Sequence, residues 1–198
     1  MSGTFPSTPS PVDITVKSIQ PTRVSTTHSL KRQVRGGTVQ RWAFNLKWSA
    51  KTRAVFAPII AFALAQKGQY ESFTFIPYGL GTTQGNATGT PLVNGATASG
   101  RSIPTDGWAI STTVMKAGDF VKFASHNKVY MLTADVVSNG TGQATLAIEP
   151  GLYASVADNS AVTHTNVPFT VAFGTDVHEV AFVPGNLVSY ACELVEVL

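Results

Sequence analysis

From Arg41 to Trp48 the chain alternates: Trp42, Phe44, Leu46 and Trp48 fall on one side, Arg41, Asn45 and Lys47 on the other. A period of two is the side-chain period of a strand, and a helix would scatter these residues around its axis. The segment is therefore predicted as a half-buried strand with a polar face turned to solvent or to a partner. Its apolar face needs a cover, and the next segment offers one. Val55, Phe56, Ile59, Phe62 and Ala63 recur at helical spacing, which predicts a helix over about 50–67 with Ser49 as N-cap, Pro58 inside and Gly68 closing it.

The rest of the chain reads as strands and turns. Strands are expected at 12–19 and at 71–77, with turn chemistry in Arg35-Gly36-Gly37-Thr38. Residues 80–105 are rich in Gly, Thr, Asn and Ala and read as a long loop or linker. Strand signals return at 108–114, 119–123, 128–137, 144–148 and 169–173, a spacing that suggests a small barrel or sandwich. The last segment, 187–198, alternates again, with Val188, Tyr190, Cys192 and Leu194 set against Ser189, Glu193 and Glu196. It is expected to return to the sheet of the N-terminal part. The fold class is thus mostly β: a β-sandwich or barrel with one flanking helix, plus an inserted small β domain. The expected units are an extended Pro-rich arm at 1–11, a discontinuous domain at 12–79 and 167–198, and the insertion at 80–166.

Charge divides the chain in two. Between Ile14 and Tyr70 stand ten basic residues and no Asp or Glu, whereas four basic and ten acidic residues follow from Glu71 onward. A basic stretch attracts nucleic acid or anionic lipid, but an equally acidic remainder suits complementarity between neighbouring copies. Direct nucleic-acid binding is disfavoured, because the tryptophans lie on the face opposite the cations and one surface cannot both stack bases and meet phosphates.

No catalytic or metal-binding pattern stands out. His28, His126, His164 and His178 are dispersed and Cys192 is the single cysteine, so neither a disulfide nor a thiolate metal site is expected, although His164 and His178 are left open to converge in space. No serine sits in a G-x-S-x-G elbow, no P-loop is present, and Asp119 near His126 lacks a nucleophile. Neither an enzyme nor a cofactor is indicated. The longest apolar run, 54–65, is too short to span a bilayer, and the first residues lack the form of a secretory signal, so synthesis and assembly are expected in a cytoplasm.

Several segments resemble one family. Thr27-His28-Ser29-Leu30-Lys31-Arg32-Gln33, Gln40-Arg41-Trp42-Ala43-Phe44-Asn45-Leu46, the helix with Ala57-Pro58, and the run from Gly68-Gln69-Tyr70-Glu71 through Phe73-Thr74-Phe75-Ile76-Pro77 are similar to the N-terminal part of bacteriophage distal tail and related minor tail proteins. Gly118-Asp119-Phe120-Val121-Lys122-Phe123, Lys128-Val129-Tyr130, Thr133-Ala134-Asp135, Ala144-Thr145-Leu146 and Glu149-Pro150 resemble a β-module joined to it in phage proteins. The resemblance implies a tail-tube-like fold and a virion structural protein. It further implies a homo-oligomeric ring, usually six-fold, at the tail tip or baseplate hub, with the tail tube and other hub proteins as partners. On that reading Arg35, Arg41, Asn45 and Lys47 meet a neighbouring subunit or ring. Trp108, Tyr130 and Tyr153 are the aromatics available to a host-surface glycan or another partner. A carbohydrate-binding attachment module and a head–tail connector or tail-terminator ring stay open as alternatives.

Overall fold

The computed structural model describes residues 3–37 and 39–198 and is mostly β, with one helix. The N-terminal elements are β1 (Asp13–Ile19), β2 (Thr22–Thr26), β3 (Arg32–Gly36), β4 (Arg41–Lys47), β5 (Lys51–Thr52), α1 (Arg53–Ala65) and β6 (Phe73–Phe75). There follow β7 (Gly89–Val93), β8 (Ser102–Trp108), β9 (Thr113–Met115), β10 (Phe120–Phe123), β11 (Val129–Leu132), β12 (Val136–Val137), β13 (Ala144–Glu149) and β14 (Val162–Thr163). The chain ends with β15 (Phe169–Phe173), β16 (Val180–Val183) and β17 (Leu187–Glu196).

One sheet has the order β1-β4-β17-β15-β6, with β5 and β16 also pairing β17. It joins the first and last parts of the chain, because β17 lies antiparallel on β4 with Leu194 opposite Phe44. The inner face follows the alternation of β4: Trp42, Phe44, Leu46 and Trp48 are buried, and Arg41 and Lys47 are exposed. Phe56, Ile59 and Ala63 of α1 join this core, and Trp48 meets both Phe56 and Tyr190 edge-on or tilted within about 6 Å. The Pro-rich arm is docked along β6, where Phe5 N–H donates to Thr74 and Thr74 N–H donates to Gly3. Phe5 itself packs on Trp48, Phe62, Phe73 and Phe75, so the arm closes one sheet edge.

A second sheet, β14-β10-β11-β13-β8-β7, curls until its ends meet through a bridge between Leu92 and Ala161. Its core gathers Ile103, Val121, Phe123, Tyr130, Leu146 and Ile148. Closure of this kind removes the free edges that an open sheet must otherwise protect.

Several local expectations are corrected. The helix starts at Arg53 rather than Ala50, because Lys51 and Thr52 pair with Val188 and Leu187, and the N-cap is Thr52 without a side-chain bond. It ends at Ala65, with Lys67 and Gly68 in the left-handed region. The region expected as a linker contains β7 and the start of β8. β7 accommodates Pro91 at a register shift, and Gly89 takes φ +111° where a Cβ would overlap the Gly107 carbonyl. The strand expected at 108–114 is split into the end of β8 and the short β9, and that at 128–137 into β11 and β12. The pair β2–β3 was missed, because neither strand buries a residue. Gly37 and Pro21 close its base, with Gly37 N–H donating to the Pro21 carbonyl, while Thr38 of the expected turn lies outside the described residues. Glu196, expected to face outward, is buried: an even-numbered residue of β17 falls on the face of Val188 and Leu194.

Candidate assembly surface and the buried junction

The β2–β3 hairpin stands off the main sheet as a separate two-stranded sheet. Its turn is closed by Thr27, whose N–H donates to the Lys31 carbonyl and whose hydroxyl oxygen accepts the Lys31 N–H at 3.2 Å. In the register Val24 faces Val34 and Arg23 faces Arg35. One face thus presents Val24 and Val34, 50% and 55% exposed, flanked by Thr22, Thr26 and Arg32, and the other holds two cations directly opposed. Like charges across a strand pair destabilise it, and an isolated hairpin is at best marginal in water. No acidic side chain pairs with Arg23 or Arg35 among the described residues.

Arg41, Asn45 and Lys47 share the outer face of β4, whereas Arg35 belongs to the hairpin. Asn45 lies between Thr15 of β1 and Glu193 of β17 and is partly buried, its Oδ1 enclosed without a hydrogen-bond partner among the described residues. Glu193 pairs at 3.3 Å with Lys17, so part of the basic face is neutralised within the chain. β1 forms the end of the sheet and leaves a seven-residue edge open. A second exposed ribbon, β16 against β17, displays Phe182 at 67% exposure.

Behind this surface the two sheets are joined by a buried ion pair. Lys128 and Glu196 have side chains 1% and 0% exposed. Glu196 also accepts the N–H of Val129 at 2.9 Å and of Trp42 at 3.1 Å, and Trp42 Nε1 donates to the Val129 carbonyl at 2.8 Å. Every bond of this carboxylate runs to β4 or to the start of β11. Burial pulls the Lys128 pKa below its ordinary value, and the charge of Glu196 opposes that pull. Phe120 and Val129, from the second sheet's strands, complete the first core beside Trp42. Sequence reasoning missed this junction because its two charges stand 68 residues apart; the period of β17, applied strictly, would have placed Glu196 inside.

Of the three aromatics proposed for a glycan or partner, Trp108 and Tyr130 are core residues. Trp108 Nε1 donates to Thr105 at 2.8 Å, and the Tyr130 hydroxyl takes the N–H of Tyr153 at 2.9 Å. Only Tyr153, 53% exposed, presents a ring to solvent. The histidines do not converge: His164 packs on Trp108, His178 on Phe173 and Tyr190, and His126 bonds Ser125 and Tyr130 rather than Asp119. Asp119 is itself buried and accepts the N–H groups of Gln84 and Lys116, which ties down the start of the second sheet's region. No cluster of three or more His, Cys, Asp or Glu side chains able to hold a metal is found among the described residues. Among them, too, no helix is long and apolar enough to cross a membrane.

No curated protein matches the chain. Residues 81–167, the stretch that contains the curled sheet, match the family described as distal tail protein pb9, B domain. That family is one of structural tail proteins. Residues 81–167 are thus similar to the B domain of a bacteriophage distal tail protein, which supports a structural role in a phage tail.

Proposed function

We propose that the protein forms a homo-oligomeric, six-fold ring at the distal end of the tail tube, at the tail-tip or baseplate hub. Residues 12–79 and 167–198 make the ring body, and residues 80–166 face outward from it. Its partners are further copies of itself, the tail tube protein and other hub proteins, and it reaches the virion tail after assembly in the host cytoplasm.

The observation that carries this reading is the β2–β3 hairpin, in which no residue is buried and Arg23 opposes Arg35. A neighbouring copy supplies both needs at once: apolar surface for Val24 and Val34, and carboxylates for the arginines. Asp176 and Glu179, exposed on the segment that leads into β16, are suitable anions. Arg41, Asn45 and Lys47 lie on the outer face of β4, beside the open edge of β1, and contact the same neighbour or the adjacent ring.

Mass measurement on the purified protein tests this directly. The expected species has six times the 20.9 kDa mass of the chain. A strictly monomeric protein, or one absent from purified tails, overturns the reading.

A further inference from the structure

A gap in the pairing of β17 opens a cleft. β16 pairs β17 up to Tyr190 and β15 pairs it from Leu194 on; between them lies a space of about 310 Å³, lined by Asn45, Lys47, Phe173, His178, Cys192 and Glu193 among others. Two polar atoms of these residues, Asn45 Oδ1 and His178 Nε2, are enclosed and lack a hydrogen-bond partner among the described residues. Buried polar atoms are nearly always bonded, so two orphans lining one cleft mark a place left open for a further group.

The cleft offers acceptors. His178 Nδ1 lies 3.0 Å from the Tyr190 hydroxyl, which is also bonded to Cys192. With the tyrosine O–H given to the thiol, Nδ1–H donates to the tyrosine oxygen and Nε2 keeps a bare lone pair. Burial holds the His178 pKa below its ordinary value, which keeps the ring neutral at neutral pH. Glu193 adds a carboxylate that meets Lys17 through Oε1 alone. Asp176 and Glu179 stand exposed on the same segment as His178. Lys47, on the rim, lies opposite Asp13 in the register of β1 and β4, which offsets its charge.

Acceptors on two sides and a carboxylate on a third match a cation with several N–H groups in one plane, a guanidinium rather than an ammonium. Arg23 and Arg35 supply it. They oppose each other on the hairpin, no acidic side chain pairs with either among the described residues, and drawing one away relieves the repulsion. The hairpin leaves the main sheet at the end where Ile19 faces Arg41, whereas the cleft lies toward the end where Asp13 faces Lys47 and on the far side of β17. Donor and receptor are different patches of one surface, and such head-to-tail contacts close into rings rather than two-fold dimers.

We propose that the cleft receives Arg23 or Arg35 of a second copy, whose guanidinium donates to Asn45 Oδ1 and His178 Nε2 and pairs with Glu193. The contact rests on the homo-oligomer proposed above and specifies its joint.

Sedimentation equilibrium of the full chain tests it. His178→Phe keeps a ring against Phe173 but removes Nε2, and should weaken assembly about tenfold, the worth of one hydrogen bond to a charged group. Arg23→Lys and Arg35→Lys, at exposed positions, keep the charge and lose the planar fork. One of the two should cost a similar factor with thermal unfolding unchanged, and combining it with His178→Phe should lose no more than either alone. A wild-type chain that stays monomeric at every concentration overturns the oligomer and this contact together. A wild-type oligomer overturns the contact alone if His178→Phe assembles as tightly, if both lysine variants do, or if the losses add in the combined variant.

Discussion

Glu196 is the side chain on which most of the inter-sheet polar structure depends, since it satisfies Lys128, Val129 and Trp42 together. Removing one member of a buried pair leaves the other charge uncompensated, at a cost of about 3–5 kcal/mol. Glu196→Ala should therefore lower stability by that order in urea unfolding, while Lys128→Met combined with Glu196→Leu should recover much of the loss. The histidines set a pH dependence. Burial holds His126, His164 and His178 below the ordinary value of 6.5. The unfolded chain therefore takes up protons first, and stability is lost as pH falls through 6.5 toward the lower folded-state values. The urea midpoint should drop between about pH 7 and pH 5, and His164→Gln should make that drop shallower.

Among the elements, those with large apolar residues at a period of two were the most legible in the sequence, whereas β8, which buries Ile103 and Trp108, was hidden in a stretch rich in small and polar residues. β4 and β17 show a clean period of two because one face of each enters the core that also holds Phe56, Phe75 and Phe169. The β2–β3 hairpin carries no such pattern, since every residue is exposed, and β7 is hidden among glycines that its register shift requires. The candidate surface was legible in part: Arg41 and Lys47 are exposed as their spacing implies, but the neutralisation of Lys17 by Glu193 depends on a pairing that only the fold provides. Gly89→Ala should cost more than about 1 kcal/mol in thermal or urea unfolding, because a Cβ there meets the Gly107 carbonyl at a backbone angle that L residues avoid. Replacing residues 22–36 with a short Gly/Ser linker should leave monomer unfolding nearly unchanged and abolish the higher-mass species. A ring that persists without the hairpin would transfer the assembly role to β1 and β16.

For the whole molecule, the proposed assembly through opposed charge should be sensitive to salt. Exposed ion pairs between copies are screened over about 10 Å at 0.1 M ionic strength and over about 3 Å at 1 M. The high-mass species should therefore dissociate progressively as sodium chloride is raised, as followed by light scattering; an apolar contact alone would hold or strengthen. Lys128–Glu196 is shielded from solvent and should be insensitive to the same titration. The pair also has a mechanical consequence. The chain enters and leaves the curled sheet along two segments held together by the Asn166 N–H to Gly81 carbonyl bond, and two adjoining strands of chain would by themselves act as a hinge. The ion pair adds a separate point of attachment and turns the hinge into a mount. A pull on the barrel would then travel through Glu196 into β17, which is bonded to β4, β5, β15 and β16, and would load the sheet in shear across several strands instead of peeling it from one edge.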